Sequence, residues 1–281
     1  MALEYLADNA VSLAAASWLL VNGSAGTGFA NGATLRIDRG TQTIDQDTNQ
    51  SASDVESLDV LPGFSGNLGT GSSPVRFGAS GTAESATNVT SRFRYWAGGG
   101  SCYYDSGTLC DFLQVDTGGF INLIAGDYKH LHLDNGRAYF NSTATCGASG
   151  VWQVGGGQLL LDQHASDLFV TMNVTGSGSQ PHELKRGGAT LNLRGGTTIL
   201  DVKNGSVTTL EITGGTLTLK SHNATGSALT ALGGVLDFSQ ISRPITFTNA
   251  VLGRVRLVGY DKSLVTFTTP SIVGRGPIGL N

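Results

Sequence analysis

The side chains best suited to chemistry in this sequence are a few scattered carboxylates, a pair of histidines and one short aromatic–basic stretch. Glu211, Asp237 and Asp201 fall within segments that alternate apolar and polar residues, where an outward carboxylate sits on the flank of a sheet. Hydrolysis of a glycosidic bond needs two such carboxylates roughly 5–10 Å apart. A 19-residue step places Glu211 between Asn192 and Thr230, Asp237 beside Thr218, and Asp201 towards Lys220. None of the three meets a second carboxylate, so they read as solvated outer-face residues and no enzymatic activity is expected. His130 and His132 flank Leu131 and point to one face of a strand, with Asp134 nearby. Two histidines at i and i+2 without a third ligand are a weak metal signal, and exposed strand histidines are the expectation. No nucleophile elbow, phosphate loop or zinc spacing occurs, and no cofactor is expected. Arg92, Arg94 and Tyr95-Trp96 are residue types favoured at subunit contacts.

These residues have to be positioned by a repeat. Glycine pairs fall at Gly195-Gly196, Gly214-Gly215 and Gly233-Gly234, spaced by 19 residues, and Leu191, Leu210 and Leu229 keep the same step. Thr209-Leu210-Glu211-Ile212 and Thr216-Leu217-Thr218-Leu219 alternate as half-buried strands do. A fixed period near twenty with strand, tight turn and strand is the pattern of a solenoid whose repeats each form one coil. The glycines supply corners that a Cβ would oppose. The expected fold is all-β, a parallel β-helix with glycine-cornered coils of about 18–20 residues and an N-terminal arm or cap. Leu191, Leu210 and Leu229 should form one inward stack, and Leu217 should stack with Leu236.

The organisation read along the chain is an arm and linker over residues 1–32, an irregular β cap region over 33–111 and the β-helix over 112–281. Regular coils are expected to begin near Phe112, with Gly118-Gly119 and Asn135-Gly136 at corners. The polar stretch Thr175 to Arg186 reads as a loop projecting from the column. At the N-terminus, Leu3, Tyr5, Leu6, Val11, Leu13 and Trp18 are apolar anchors ahead of the flexible connector Gly23 to Gly32. Exposed apolar area costs about 25 cal/mol per Å². The anchors should therefore bury against the first coil, a sister chain or the surface of another protein, and the connector's reach favours the last two.

Composition narrows the classes. Of the 281 residues, 41 are glycine and only 14% are charged, against 40% hydrophobic. That mixture suits a β-solenoid with short neutral polar side chains outside. A net charge of −4 and a pI near 5.7 argue against a nucleic-acid or anionic-membrane surface. The apolar run from Val11 to Leu20 follows Glu4 and Asp8 where an export signal would carry Lys or Arg, and it is too short to span a bilayer. A soluble protein made in the cytoplasm is expected, without membrane or nucleic-acid partners. Of Cys102, Cys110 and Cys146, the first two flank a turn that can bring them together, while a reducing compartment leaves all three free.

The stretch Asn31 to Gly78 resembles the opening of β-solenoid structural proteins in the virions of tailed bacteriophages, of the capsid decoration or cement type. The matching positions are Asp45-Gln46, Ser51-Ala52, Ser57-Leu58, Gly63-Phe64, Gly66 and Gly69, over about the first quarter of the chain. The resemblance implies a virion component without catalytic residues. The function expected from it is a decoration protein that binds and stabilises the phage head, a homotrimer contacting the major capsid protein through Leu3, Tyr5, Leu6, Val11, Leu13 and Trp18. The alternatives are a receptor-binding tail fibre or spike built on a β-helix, and a surface adhesin.

Overall fold

The computed structural model describes residues 3–7, 10, 18–26, 33–44, 55–70, 75–76, 90–145, 150–161, 169–202, 207–222, 227–274 and 279–280. The chain forms two compact units, Met1–Gly147 and Ala148–Asn281. Strands are the regular elements among the described residues, and they stack in parallel as a β-solenoid.

In the first unit, Ala33–Ile37 lies parallel to Val55–Val60, Val55–Val60 to Thr90–Tyr95, and Thr90–Tyr95 to the start of the extended run Ser101–Thr145. Alternation sets the inside. Leu35, Leu58, Phe93 and Leu113 form one inward file and Ile37, Val60, Tyr95 and Val115 the next, all fully buried. A second wall stacks Ile44, Leu68 and Cys102. Rings fill the interior: Phe93 meets Tyr104 at 4.6 Å, Tyr104 meets Tyr128 at 5.9 Å, and Tyr128 meets Phe140 at 5.5 Å. Edge-on contacts of this kind add to what burial already contributes. The run Ser101–Thr145 is not one straight strand, because Gly136 packs against the backbone of Thr117 one coil below.

The N-terminal segment belongs to this unit. Leu3–Leu6 pairs antiparallel with Trp18–Leu20 and parallel with Ala33–Ile37, so it covers the strand edge that the first coil would leave open. Trp18 is fully buried. Phe112 does not start the stacking, since parallel pairing is in place from Ala33 onward. The steps there, 23 residues from Thr34 to Ser57 and 35 from Ser57 to Arg92, simply exceed a single coil's usual length.

In the second unit one wall runs through Val151–Val154, Phe169–Val174, Gly188–Leu193, Val207–Ile212, Ser227–Ala231, Ile245–Leu252 and Val265–Phe267. A second runs through Gln158–Leu161, His182–Leu184, Thr197–Val202, Thr216–His222, Val235–Asp237, Arg256–Val258 and Gly279–Leu280. The expected stacks are present. Leu191 pairs with Leu210 and Leu210 with Leu229, Leu217 pairs with Leu236, and all five are at most 1% exposed. The corner at Gly214-Gly215 shows why glycine is required. Gly215 has φ +72°, and a Cβ there would lie 2.6 Å from the Gly196 carbonyl oxygen of the coil below.

One expectation is corrected. Thr175 to Arg186 is a loop only in its first part: residues 175–181 carry no strand and are exposed or half-buried, but His182–Leu184 is a strand of the second wall, and His182, Leu184 and Arg186 are fully buried. Two of its polar side chains, His182 and Arg186, are used inside, while Thr175, Ser179 and Gln180 stay exposed. His182 Nδ1 accepts the Leu159 N–H at 3.0 Å, and its Nε2–H donates to the Gly176 carbonyl at 2.7 Å. A buried imidazole is tolerated because both its nitrogens are satisfied.

Candidate functional site

The most charged constellation among the described residues lies on the outer face of the first unit, where three arginines surround one aspartate. Arg36, Asp59 and Arg94 occupy neighbouring positions on successive parallel strands, and Arg92 lies two residues before Arg94 beside Ser57. Each points outward because its strand neighbours Leu35, Leu58 and Phe93 point in. Asp59 is 1% exposed, covered by the guanidinium groups. Arg94 holds it bidentately, Nε to Oδ1 at 2.6 Å and Nη2 to Oδ2 in a short contact. Arg36 Nη2 stands 3.7 Å from Oδ2 and Arg92 Nη2 3.8 Å from Oδ1. Aromatic rings flank the cluster: Arg36 lies over Tyr5 at 5.6 Å and donates to the Tyr5 hydroxyl at 3.4 Å, while Arg94 lies over Trp96 at 4.9 Å.

The arrangement can attract oxyanions electrostatically and present fork-shaped donors to them. Arg92, Arg94 and Trp96 were legible as a contact candidate from sequence. Tyr95 is not part of that surface, since it is fully buried and its burial, with Cys102 beside it, pushes the phenol well above its ordinary pKa. Arg36 and Asp59 were missed. The signal that finds them is the alignment of Thr34-Leu35-Arg36-Ile37, Ser57-Leu58-Asp59-Val60 and Arg92-Phe93-Arg94-Tyr95 on their inward residues.

The sequence-derived contact residues divide. Leu6 and Trp18 are buried within their own unit, whereas Leu3 and Tyr5 are half-buried, with Leu3 beside Thr34 and Tyr5 beside Arg36. Val11 and Leu13 lie outside the described residues. A cleft of about 580 Å³ lined by Tyr5, Leu6, Leu19, Leu20, Asp38 and Arg39 adjoins this end.

Two carboxylates of the second unit sit where the 19-residue step places them, whereas a register shift after Leu200 sets Asp201 opposite Ser221. Glu211 lies between Asn192 and Thr230, Asp237 beside Thr218, and Asp201 Oδ2 is 3.7 Å from Lys220 Nζ across a bulge. Asn192 donates to Asn173 at 2.7 Å, starting a polar ladder on that face. His130 and His132 are half-buried beside the buried Leu131, and the His132 ring stands 5.5 Å from Phe112. No group of three His, Cys, Asp or Glu residues comes together among the described residues. Cys102 is a free thiol within the core, and burial raises its pKa well above the usual thiol range, which leaves it protonated. Among the described residues no helix is long and apolar enough to cross a membrane.

Comparison of the chain with protein-family models, curated proteins and solved structures finds no match.

Proposed function

We propose that the chain is a non-enzymatic structural protein of a tailed-phage particle, a decoration or cement protein on the outside of the head. The observation that supports this reading is the resemblance in Asn31 to Gly78, together with how the matching residues are used. Leu58 and Phe64 are fully buried, Gly63 and Gly66 pass close to the backbone at Asp38 and Gln42, and Gly69 takes φ +69°. Asp45-Gln46 and Ser51-Ala52 lie outside the described residues; the other shared positions are ones that let coils stack, the rigid element that a shell-stabilising protein requires. In this reading the protein is a homotrimer that contacts the major capsid protein. Because Leu6 and Trp18 are buried within the chain itself, the contact falls to Leu3, Tyr5 and the arginine face beside them. A second reading, a receptor-binding tail fibre or spike, is favoured by the same half-buried, outward arginine face. Quantitative mass spectrometry of purified virions separates the two: hundreds of copies per particle for a cement protein, a few for a fibre. Absence of the chain from purified particles sinks both.

A further inference from the structure

We propose that the outer face formed by Arg36, Arg92 and Arg94 around Asp59 is an oxyanion-binding site, suited to a ligand that carries two or more carboxylate, sulfate or phosphate groups. The inference stands on the local chemistry and not on a virion role. Three guanidinium groups share one carboxylate, so the cluster carries two more positive charges than its carboxylate balances. Asp59 is committed to Arg94, which takes one oxygen through Nε and the other through Nη2. At 3.7 and 3.8 Å, Arg36 and Arg92 are held near that carboxylate by charge but lie beyond N–H···O hydrogen-bonding distance, about 2.7–3.2 Å. The Arg92 side chain makes no hydrogen bond among the described residues, and the Arg36 side chain makes only the long one to Tyr5. Both remain reachable, with side chains 30% and 43% exposed.

The Nε atoms of Arg36 and Arg92 are buried without a hydrogen-bond partner, and the Nη groups carry the donors that match a carboxylate, sulfate or phosphate edge. An incoming anion would also relieve the repulsion among the three cations, which the single buried carboxylate leaves partly unbalanced. The strands that carry Arg36 and Arg92 are two rungs apart, roughly 10 Å at the usual strand spacing. A ligand with two or more oxyanion groups engages both arginines together, whereas a single ion engages one at a time. Because the chain as a whole carries a net charge of −4, general attraction does not gather anions here, and binding has to be local.

Calorimetric titration of the intact protein with citrate and with sulfate, against chloride at matched ionic strength, tests the proposal. Citrate is expected to bind and sulfate to bind more weakly. The double variant R36Q/R92Q should weaken citrate at least tenfold, while Lys262→Gln, an exposed control elsewhere, leaves it unchanged. Asp59→Asn removes the internal competitor and should tighten citrate several-fold, a gain that damaged folding does not produce. Should that variant fail to fold by circular dichroism, Arg92→Lys, which keeps the charge and loses the fork, should still weaken binding. Polygalacturonate and dextran sulfate, with neutral dextran as control, then distinguish carboxylate from sulfate sources. Citrate binding no stronger than chloride, or equal binding by R36Q/R92Q and the parent, overturns the site.

Discussion

Arg94 grips Asp59 through both branches of its guanidinium although 35 residues separate them, with Nε 2.6 Å from Oδ1. The pair spans neighbouring coils of the first unit and sits under two further arginines. Because Asp59 is 1% exposed, its charge is shielded from water and depends on those partners. Removing one member of a buried pair strands the other, at a cost of about 3–5 kcal/mol. The arginines are partly exposed, so the lower end applies. Asp59→Ala is therefore expected to destabilise the protein by about 3 kcal/mol. A double-mutant cycle with Arg94→Ala, followed by chemical denaturation, should return a coupling well above the 0–1 kcal/mol typical of surface pairs. A coupling within that range would show the grip to be cosmetic.

The coil corners make a second, sharper comparison. Gly215 and Gly23 both take a left-handed φ, +72° and +82°, but a Cβ at Gly215 would strike the Gly196 carbonyl, while one at Gly23 would meet nothing within 4 Å. Gly23→Ala should cost about 1–2 kcal/mol for the backbone conformation alone. Gly215→Ala adds overpacking between coils, about 1–3 kcal/mol more. Equal losses for the two variants in urea denaturation would mean that the coils do not approach as closely as they do here.

His182 should make stability depend on pH. Desolvation lowers its pKa from 6.5, only partly opposed by the bond to the Gly176 carbonyl, so the folded protein keeps the ring neutral where the unfolded chain protonates it. The unfolded state then binds more protons below about pH 6.5, and stability rises with pH through that window. The contribution of His182 is complete above about pH 6.5 and is lost as the pH falls from there towards its depressed folded-state pKa. The slope should reach up to about 1.4 kcal/mol per pH unit for this one proton. His182→Asn should flatten denaturation midpoints measured between pH 7.5 and 5.0. An unchanged slope in the variant would assign the dependence to another group.

Local alternation and a constant step made the second unit legible from sequence. Leu191, Leu210 and Leu229 recur every 19 residues, so the inward file and its outward neighbours Asn192, Glu211 and Thr230 follow by counting. The glycine pairs mark the corners because their constraint is local to the backbone. Which residues share a file elsewhere depends on how many residues each corner absorbs, and an insertion changes that number without disturbing alternation within the strands. Arg36, Asp59 and Arg94 each follow an inward apolar residue on their own strand, but steps of 23 and 35 residues hide that they meet. His182 and Arg186 look like loop residues by type, and only the folded coil, with a backbone donor at Leu159 and an acceptor at Gly176, makes a buried histidine affordable. The N-terminal strand follows the same rule. Its apolar anchors announced that burial was needed, but the free edge of Ala33–Ile37 decided where Leu3–Leu6 would pair. Inward or outward is decided residue by residue along the chain; neighbours across coils are decided by hydrogen-bonded register, which exists only once the coils have stacked.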